Sequence, residues 1–319
     1  MTRPALYVTR LLPDPVMAAV RQQYRLIAEP TDEAPPPEHL RHALAQADAL
    51  ICTLTDRIDA PLLADAPRLR IIATYAVGYD NVDLAAAREH GIVVTNTPDV
   101  LTDATADLTW ALLLTVARRV AEGDAWLRTG AWTGWRPTQM LGTDVTGKTL
   151  GIIGMGRIGQ AVARRAEGFR MPVVYAARRP CPSPSVVSPW THLSLPDLLR
   201  RADFVSLHVP LSETTHHLIG SRELAMMKPS SFLINTARGA VVDEDALVSA
   251  LQAHRIAGAG LDVYEREPIL HPGLRALPQV VLLPHLGSAT QETRVRMGMI
   301  CLENIAAWFT GKPPPNRIA

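Results

Sequence analysis

Short apolar runs alternate with longer amphipathic segments along the whole chain, and this alternation limits the fold more than any other feature. It is typical of α/β proteins, in which helices cover both faces of a parallel sheet. The runs fall into two series, and a chain of 319 residues has room for two domains of about 150 residues each. The sequence therefore predicts two α/β domains, each built on a doubly wound parallel sheet.

The predicted strands have no fixed-period repeat, so a solenoid is not expected. The first series comprises Ala5–Val8, Arg25–Ala28, Ala49–Cys52, Arg70–Thr74 and Ile92–Thr95. The second series comprises Thr149–Ile153, Val173–Tyr175, Phe204–His208, Phe232–Asn235, Gly258–Asp262 and Val280–Leu283.

Composition excludes several functional classes. The 32 basic and 31 acidic residues give a formal charge of +1, which provides no field for nucleic acid or an anionic membrane. Three scattered cysteines suit neither a disulfide framework nor a zinc site, so no metal is predicted. The first residues, Met1 to Val16, lack the uninterrupted apolar stretch of a signal peptide, and we expect a cytoplasmic location.

Two segments between the series differ from the rest. Thr105 to Arg119 carries apolar side chains on nearly every side of a helix, so it is predicted to be buried, either in a core or at a subunit interface. Trp126 to Met140 places three tryptophans among Gly and Pro, which is typical of an irregular arm. The exposed aromatic side chains of such an arm suggest a contact between two copies of the chain.

A glycine motif follows the predicted strand Thr149–Ile153 directly and opens a helical pattern. It reads Gly154-Met155-Gly156-Arg157-Ile158-Gly159, the G-x-G-x-x-G spacing in the context that dinucleotide binding requires. Gly154 permits a tight turn, Gly156 lets a pyrophosphate approach the backbone, and Gly159 lets helix and strand pack closely. The helix N-terminus adds backbone N–H groups and partial positive charge. The alternative is a glycine-rich turn without a ligand.

The end of the next strand decides which dinucleotide is expected, because an acid there would bind the adenosine ribose of NAD. Here Arg178 and Arg179 follow the strand, and neither Asp nor Glu occurs between Glu167 and Asp197. A guanidinium pairs well with a 2′-phosphate. NADP(H) is therefore the preferred cofactor and NAD(H) the second choice, while a solvated arginine pair is the alternative interpretation.

Three strand ends of the second series are followed by residues suited to catalysis, namely Arg238, Glu267 and His285. Ligands of open parallel sheets bind beyond the carboxyl ends of the strands. The three residues fit hydride transfer to a 2-keto acid: His285 supplies a proton near neutral pH, and Glu267 keeps that imidazole charged. Arg238 grips the substrate carboxylate and polarises the carbonyl. The alternative for the histidine is a structural role.

Seven segments of the chain, in order, carry a family pattern. They are Tyr75–Asp83, Thr95–Pro98, Leu150–Gly159, His208–Leu211, Asn235–Gly239, Leu261–Tyr264 and Pro284–Ser288. The chain resembles the D-isomer-specific 2-hydroxyacid dehydrogenases in these segments, most closely their glyoxylate/hydroxypyruvate reductase branch. The likeness covers nearly the whole chain.

The resemblance implies a role for each matching residue. Arg238, Glu267 and His285 match the catalytic residues, and Ala76, Val77 and Gly78 match the loop that binds the substrate carboxylate together with Arg238 and His285. Asp262 matches a residue beside the nicotinamide carboxamide. The full expected cofactor set is Thr105, Gly154, Gly156, Arg157, Ile158, Gly159, Arg178, Arg179, His208, Pro210, Thr215, Thr236, Ala237, Arg238, Asp262, His285 and Gly287.

The resemblance also implies a homodimer of two-domain chains with Rossmann-like sheets, in which the cofactor domain is inserted into the catalytic domain. The substrate (catalytic) domain is then expected at residues 1–98 and 287–319, and the dinucleotide-binding domain at 99–286.

The expected activity is the NADPH-dependent reduction of small 2-keto acids, glyoxylate to glycolate and hydroxypyruvate to D-glycerate, with His285 as proton donor. Two alternatives stay open at this stage. One is a dehydrogenase for a bulkier or lactate-like 2-hydroxy acid. The other is a binding protein of the same fold that senses the dinucleotide without turnover.

Overall fold

The structure is a computed structural model that describes residues 3–181 and 189–319. The chain divides into two compact units: unit 1 is Met1–Leu101 with Ser288–Ala319, and unit 2 is Thr102–Gly287. The chain passes from unit 1 to unit 2 after Leu101, three residues later than the boundary expected after residue 98. It returns to unit 1 after Gly287, one residue later than the boundary expected after residue 286.

The elements are numbered here in chain order. The strands are β1 (Ala5–Val8), β2 (Arg25–Leu26), β3 (Ala49–Cys52), β4 (Ile71–Thr74), β5 (Val93–Thr95), β6 (Leu150–Ile153), β7 (Val173–Ala176), β8 (Thr191–His192), β9 (Phe204–Leu207), β10 (Phe232–Asn235), β11 (Gly258–Leu261) and β12 (Val280–Leu282). The α-helices are α1 (Asp14–Gln23), α2 (Pro37–Leu44), α3 (Ala60–Ala64), α4 (Leu84–Glu89), α5 (Thr102–Ala117), α6 (Val120–Arg128), α7 (Arg157–Ala166), α8 (Leu195–Arg201), α9 (Ser221–Met226), α10 (Glu244–Gln252), α11 (Pro272–Arg275) and α12 (Gln291–Phe309). Short 3₁₀ helices cover Glu167–Phe169 and Gly239–Val241.

Unit 1 is built on a five-stranded parallel sheet in the order β2-β1-β3-β4-β5. Its four longer strands are buried along their whole length, as expected where helices cover both faces of a sheet. Helix α12, from the C-terminal part of the chain, packs on β4 and α1 within this unit. Its Gly298 allows that approach, because a side chain there would meet Val16 of α1.

Unit 2 is built on a seven-stranded parallel sheet in the order β12-β11-β10-β9-β6-β7-β8. The chain begins at β6, runs outward to β7 and β8, and then restarts at β9 on the other side of β6. The strand order therefore reverses between β6 and β9, and doubly wound sheets bind ligands beyond such a reversal. The doubly wound prediction for both units is confirmed.

Helix α5 is a core helix of unit 2. It packs on α7 and on strands β10 and β11, and it buries eight side chains, including Trp110 and Leu113. Among the apolar side chains of this helix, Ala111 is exposed. In the described part of the chain, no helix is both long and apolar enough to cross a bilayer.

Two local predictions need correction. The segment Trp126–Met140 is not irregular throughout, because its first three residues complete helix α6, where Arg128 pairs with Asp124 one turn earlier. Strand β8 was missed, since it is only two residues long and exposed at the edge of the sheet. The other eleven strands overlap the predicted runs, with ends shifted by at most two residues.

Candidate active site

The glycine motif forms the turn between β6 and α7 at the point where the sheet of unit 2 reverses. Gly154 has φ +96°, and a side chain there would lie 2.5 Å from the carbonyl oxygen of His208, which follows β9. A Cβ at Gly159 would lie 2.1 Å from the Gly154 carbonyl oxygen. Only glycine therefore fits either position.

Gly156 is the position where a ligand can approach this turn. An added Cβ at Gly156 would meet no atom within 4 Å, so the space in front of its backbone is open. Gly156 is also the N-cap of α7 and offers no side-chain cap, which leaves the partial positive charge of the helix N-terminus directed at that space. Arg157 and Ile158 form the first turn of this helix. These features fit a dinucleotide pyrophosphate.

The segment Ala177–Cys181 follows β7 at the same edge of the sheet. Ala176 of β7 pairs with Ile153 of β6 and accepts a hydrogen bond from the Gly154 N–H, 2.9 Å. The Tyr175 hydroxyl bonds both backbone groups of Cys181, at 2.8 and 3.0 Å, which closes the segment into a loop. Arg178 and Arg179 are exposed on this loop, beside the glycine turn.

A histidine–carboxylate pair lies beyond the carboxyl ends of β11 and β12. Nδ1 of His285 is 2.8 Å from Oε2 of Glu267, and both side chains are about one-quarter exposed. The other oxygen of Glu267 accepts the backbone N–H of Tyr264, 3.0 Å. The carboxylate is therefore fixed from two sides, and Nε2 is the ring atom of His285 that points away from it.

Asp262 positions the loop that carries His285. It has no exposed surface, and its carboxylate accepts the backbone N–H groups of Leu286 and Gly287 at 2.6 and 2.8 Å. The His285 N–H donates to the Asp262 carbonyl oxygen, 2.9 Å, while Thr105 Oγ1 donates to the Gly287 carbonyl, 3.0 Å. These bonds hold His285 at φ +55°, a conformation that non-glycine residues seldom adopt.

The electrostatics of the pair follow from burial and from the cations around it. Burial alone would raise the pKa of Glu267, but the His285 hydrogen bond and charge, the Tyr264 N–H and the Arg238 charge outweigh it and hold that pKa below its usual value. Burial raises the pKa of Asp262 in spite of its two backbone donors. These contacts therefore favour the ionised form of Glu267.

Arg238 follows β10, and its backbone is held by a short turn. Asn235 accepts the Ala237 N–H and donates to the Arg238 carbonyl, at 3.0 and 2.9 Å. The guanidinium donates to the Ala237 carbonyl oxygen, 2.8 Å. Gly239 follows with its backbone directly against Tyr264, which precedes Glu267 by three residues. The structure thus brings the segments of Arg238, Glu267 and His285 together.

The other expected cofactor residues lie around the same strand ends of unit 2. Thr236 is buried and shares a hydrogen bond of 2.8 Å with Thr109 of α5. Thr215 donates to the Pro210 carbonyl oxygen, 2.6 Å, and so holds the loop after β9. His208 bonds Ser206, 2.8 Å, and its withdrawal from water lowers its pKa, so its imidazole is neutral.

The loop Ala76–Gly78 belongs to unit 1 and follows β4. The Ala76 carbonyl accepts the Thr97 N–H, 2.9 Å, and the Val77 carbonyl accepts the Asn96 side-chain amide, 2.8 Å. These two bonds fix the loop from the segment after β5.

Three residues that hold this site were not found from the sequence. Tyr264 donates its hydroxyl to the Leu283 carbonyl, 2.8 Å, and so ties the segment of Glu267 to that of His285. Thr109 and Asn235 support Thr236 and Arg238 as described above. Tyr264 and Asn235 lie in the family segments Leu261–Tyr264 and Asn235–Gly239. Their place in these segments is the sequence feature that could have marked them as site residues.

Comparison with known proteins decides the family. The sequence profile of the domain described as "D-isomer specific 2-hydroxyacid dehydrogenase, NAD binding domain" matches residues 110–287. The chain is 48% identical over 320 residues to the glyoxylate reductase of Thermococcus litoralis. The aligned region covers 99% of this chain and 97% of the relative. The chain belongs to the D-isomer specific 2-hydroxyacid dehydrogenase family, in its glyoxylate reductase branch. It is an NAD(P)-dependent oxidoreductase that acts on CH–OH groups.

Solved structures of other proteins have the same fold. A Thermus thermophilus protein superposes with a TM-score of 0.93 at 49% identity, covering 99% of this chain and 100% of that one. The NADPH-dependent glyoxylate/hydroxypyruvate reductase of Sinorhizobium meliloti, solved with NADP and malonate, superposes with a TM-score of 0.89 at 34% identity, covering 100% and 97%. The predicted family and two-sheet fold are confirmed.

Proposed function

We propose that this enzyme reduces glyoxylate to glycolate and hydroxypyruvate to D-glycerate, with NADPH as the preferred reductant. The observation that carries the proposal is the His285–Glu267 pair, with 2.8 Å between Nδ1 and Oε2, beside the turn that holds Arg238. The names of the relatives in Thermococcus litoralis and Sinorhizobium meliloti support the substrate class.

In this proposal the dinucleotide binds at the open turn of unit 2. The Gly154–Gly159 turn and the first turn of α7 hold its phosphates, and Arg178 and Arg179 bind the 2′-phosphate. When bound, the reduced nicotinamide supplies the hydride that reduces the substrate carbonyl. The remaining cofactor contacts come from Thr105, His208, Pro210, Thr215, Thr236, Ala237, Arg238, Asp262, His285 and Gly287.

His285 acts as the proton donor. Reduction of a carbonyl leaves charge on its oxygen, and an imidazolium that faces this oxygen can neutralise it in the transition state. Nδ1–H donates to Glu267, so Nε2–H is the proton that His285 can transfer. The ionised Glu267 stabilises the imidazolium and fixes the ring plane. Nε2 is reprotonated from solvent after each turnover.

The substrate carboxylate binds to the Arg238 guanidinium. An arginine fork matches a carboxylate in geometry and charge and stays protonated throughout the reaction. It also polarises the neighbouring carbonyl oxygen, which makes its carbon a better acceptor. A small 2-keto acid is oriented by this contact with its carbonyl toward His285.

Steady-state kinetics with a panel of keto acids tests this proposal. Purified protein is assayed with NADPH and glyoxylate, hydroxypyruvate, pyruvate or a branched-chain keto acid, and we expect the highest kcat/KM for one of the first two. A higher value for pyruvate or the branched acid would make the enzyme a dehydrogenase for lactate-like or bulkier substrates. Tight NADPH binding without turnover of any acid would instead favour a dinucleotide sensor.

The arginine pair after β7 gives the first prediction. Replacing Arg178 and Arg179 together by Ala should weaken NADPH binding by about 10-fold to 100-fold, because a hydrogen bond to a charged group contributes about 1.5–3 kcal/mol. NADH binding should change little, since NADH lacks the 2′-phosphate. Fluorescence titration with both cofactors measures the two dissociation constants.

The control for that experiment is a second exposed arginine pair, Arg200 and Arg201 at the end of α8. Their double Ala variant should bind both cofactors as the wild type does. An equal loss of NADPH and NADH binding in the Arg178/Arg179 variant would rule out recognition of the 2′-phosphate.

The partner proposed for the chain is a second copy. Helix α6 and the segment after it expose Leu127, Trp135 and Leu141 by 56%, 79% and 67%, an apolar surface of the kind that a protein interface covers. Light scattering should therefore report a mass of two 34.7 kDa chains. Trp135→Lys should shift the mass toward one chain, while Leu11→Lys, an exposed leucine of unit 1, should not. A monomeric wild type would refute the dimer.

A further inference from the structure

A cluster of metal-ligating side chains lies on unit 2 outside the candidate active site. It consists of His216, His217 and Glu265, and one ligand atom from each lies within 4.8 Å of the other two. The two imidazole rings stack with centroids 4.0 Å apart and an interplanar angle of 24°. Nε2 of His217 is 3.1 Å from Oε1 of Glu265. His216 is exposed, and the other two residues are partly buried.

The fold holds the backbone at two of the three positions. The His217 N–H donates to the Ala240 carbonyl oxygen, 2.8 Å, with His217 at φ +49°. The Glu265 N–H donates to Oε1 of Glu244, 2.8 Å. A Cβ on Gly239 would lie 1.8 Å from the Tyr264 carbonyl carbon, so the backbone after β10 runs directly against the residue before Glu265. Both ligand-bearing segments are therefore anchored to the short stretch 239–241.

The donor set selects the class of ion. Two imidazoles and one carboxylate suit zinc and similar transition metals, whereas magnesium and calcium prefer oxygen ligands. Zinc binds such atoms at about 2.0–2.1 Å, which places tetrahedral ligands about 3.3 Å apart. Rotation of the exposed His216 ring and small shifts of the other two side chains would bring the three atoms from within 4.8 Å to that spacing. A water molecule would take the fourth position, because His216 is exposed to solvent.

We propose that His216, His217 and Glu265 bind one divalent transition-metal ion of the zinc class. The ion would link the loop after β9 to the segment between β11 and Glu267. These two segments flank the stretch that begins with Arg238. The proposal is independent of the substrate and cofactor proposed above, because it rests on side chains that the reaction does not use.

Direct binding measurements on the full-length chain, expressed without a histidine tag and stripped with a chelator, test the site. Isothermal titration should show one Zn²⁺ bound per chain, and Mg²⁺ at the same concentration should show no saturable binding. Zn²⁺ should also raise the melting temperature, because a ligand that binds only the folded state stabilises it. Absence of a one-to-one Zn²⁺ complex, or equal binding of Mg²⁺, would overturn the proposal.

Variants then assign the ligands. His216→Asn, His217→Asn and Glu265→Gln should each weaken Zn²⁺ binding by about tenfold or more, since loss of even a supporting hydrogen bond costs 10-fold to 100-fold in metal affinity. His254→Asn is the matched control: it is exposed at φ +51°, close to the backbone conformation of His217, and should bind as wild type. Circular dichroism verifies that each variant is folded. Unchanged affinity in both His216→Asn and Glu265→Gln would place the ion elsewhere.

Discussion

Replacement of His285 by Asn should lower kcat for glyoxylate reduction by about 10²–10⁴-fold, the usual contribution of a positioned general acid. Asparagine fits the left-handed backbone that His285 adopts at φ +55°, so the loop should keep its shape. The Asp262 bonds to Leu286 and Gly287 involve backbone donors and survive the substitution. The variant loses the donor at Nε2 and the Nδ1 bond to Glu267, while the backbone of the loop is kept.

Two measurements distinguish a lost proton donor from a damaged site. NADPH affinity, measured by fluorescence, should stay within a few-fold of the wild type, because the glycine turn and the arginine loop are not altered. His254→Asn is the control, because His254 lies 31 residues before His285 and has a similar backbone angle, φ +51°. This variant should retain full kcat. A His285→Asn enzyme with near wild-type kcat would assign proton transfer to another group.

The sequence predicted best those features that depend on residues close together in the chain. Eleven strands were placed because buried parallel strands are continuous apolar runs, and helices separate them. The glycine turn was found because its spacing is local and each glycine has a steric reason, such as the 2.1 Å approach at Gly159. Arg238, Glu267 and His285 stood out because each follows a strand end at one edge of a sheet.

Features that depend on distant residues could not be found in the same way. The two-residue strand β8 exists only through its pairing with β7, 17 residues earlier in the chain. The role of Asp262 depends on backbone donors 24 and 25 residues later. The imidazoles of the proposed metal site meet a carboxylate 48 residues beyond His217. No periodicity or motif reports such distances.

The His285–Glu267 pair likewise depends on contacts between residues that are distant in the chain. His285 sits on a loop with no regular structure, so its position has to come from bonds to β11 and to the segment after it. Asp262 supplies them through its carboxylate and its carbonyl, and Tyr264 adds a bond to Leu283. Glu267 then meets an imidazole that is already oriented. A mobile loop would lose entropy on forming that pair in each catalytic cycle.

Substitution of Arg238 is the second change for which we expect a large loss of activity. Two variants separate the contribution of its charge from that of its planar guanidinium. Arg238→Gln should lower kcat/KM by about 10²–10³-fold, as expected when a preorganised donor to a developing negative charge is removed. Arg238→Lys keeps the charge but not the planar fork, so it should recover only part of that loss, mainly in KM. Asn235 still holds the turn through backbone groups in both variants.

A panel of substrates checks this assignment. Glyoxylate and its amide differ in the carboxylate that Arg238 is proposed to bind, so the wild type should prefer glyoxylate strongly and Arg238→Gln should lose most of that preference. Arg222→Gln, an exposed arginine of α9, is the control and should behave as the wild type. If Arg238→Gln retained the full preference for the carboxylate, the substrate would be held by other residues, and Arg238 would serve only to lower the pKa of Glu267.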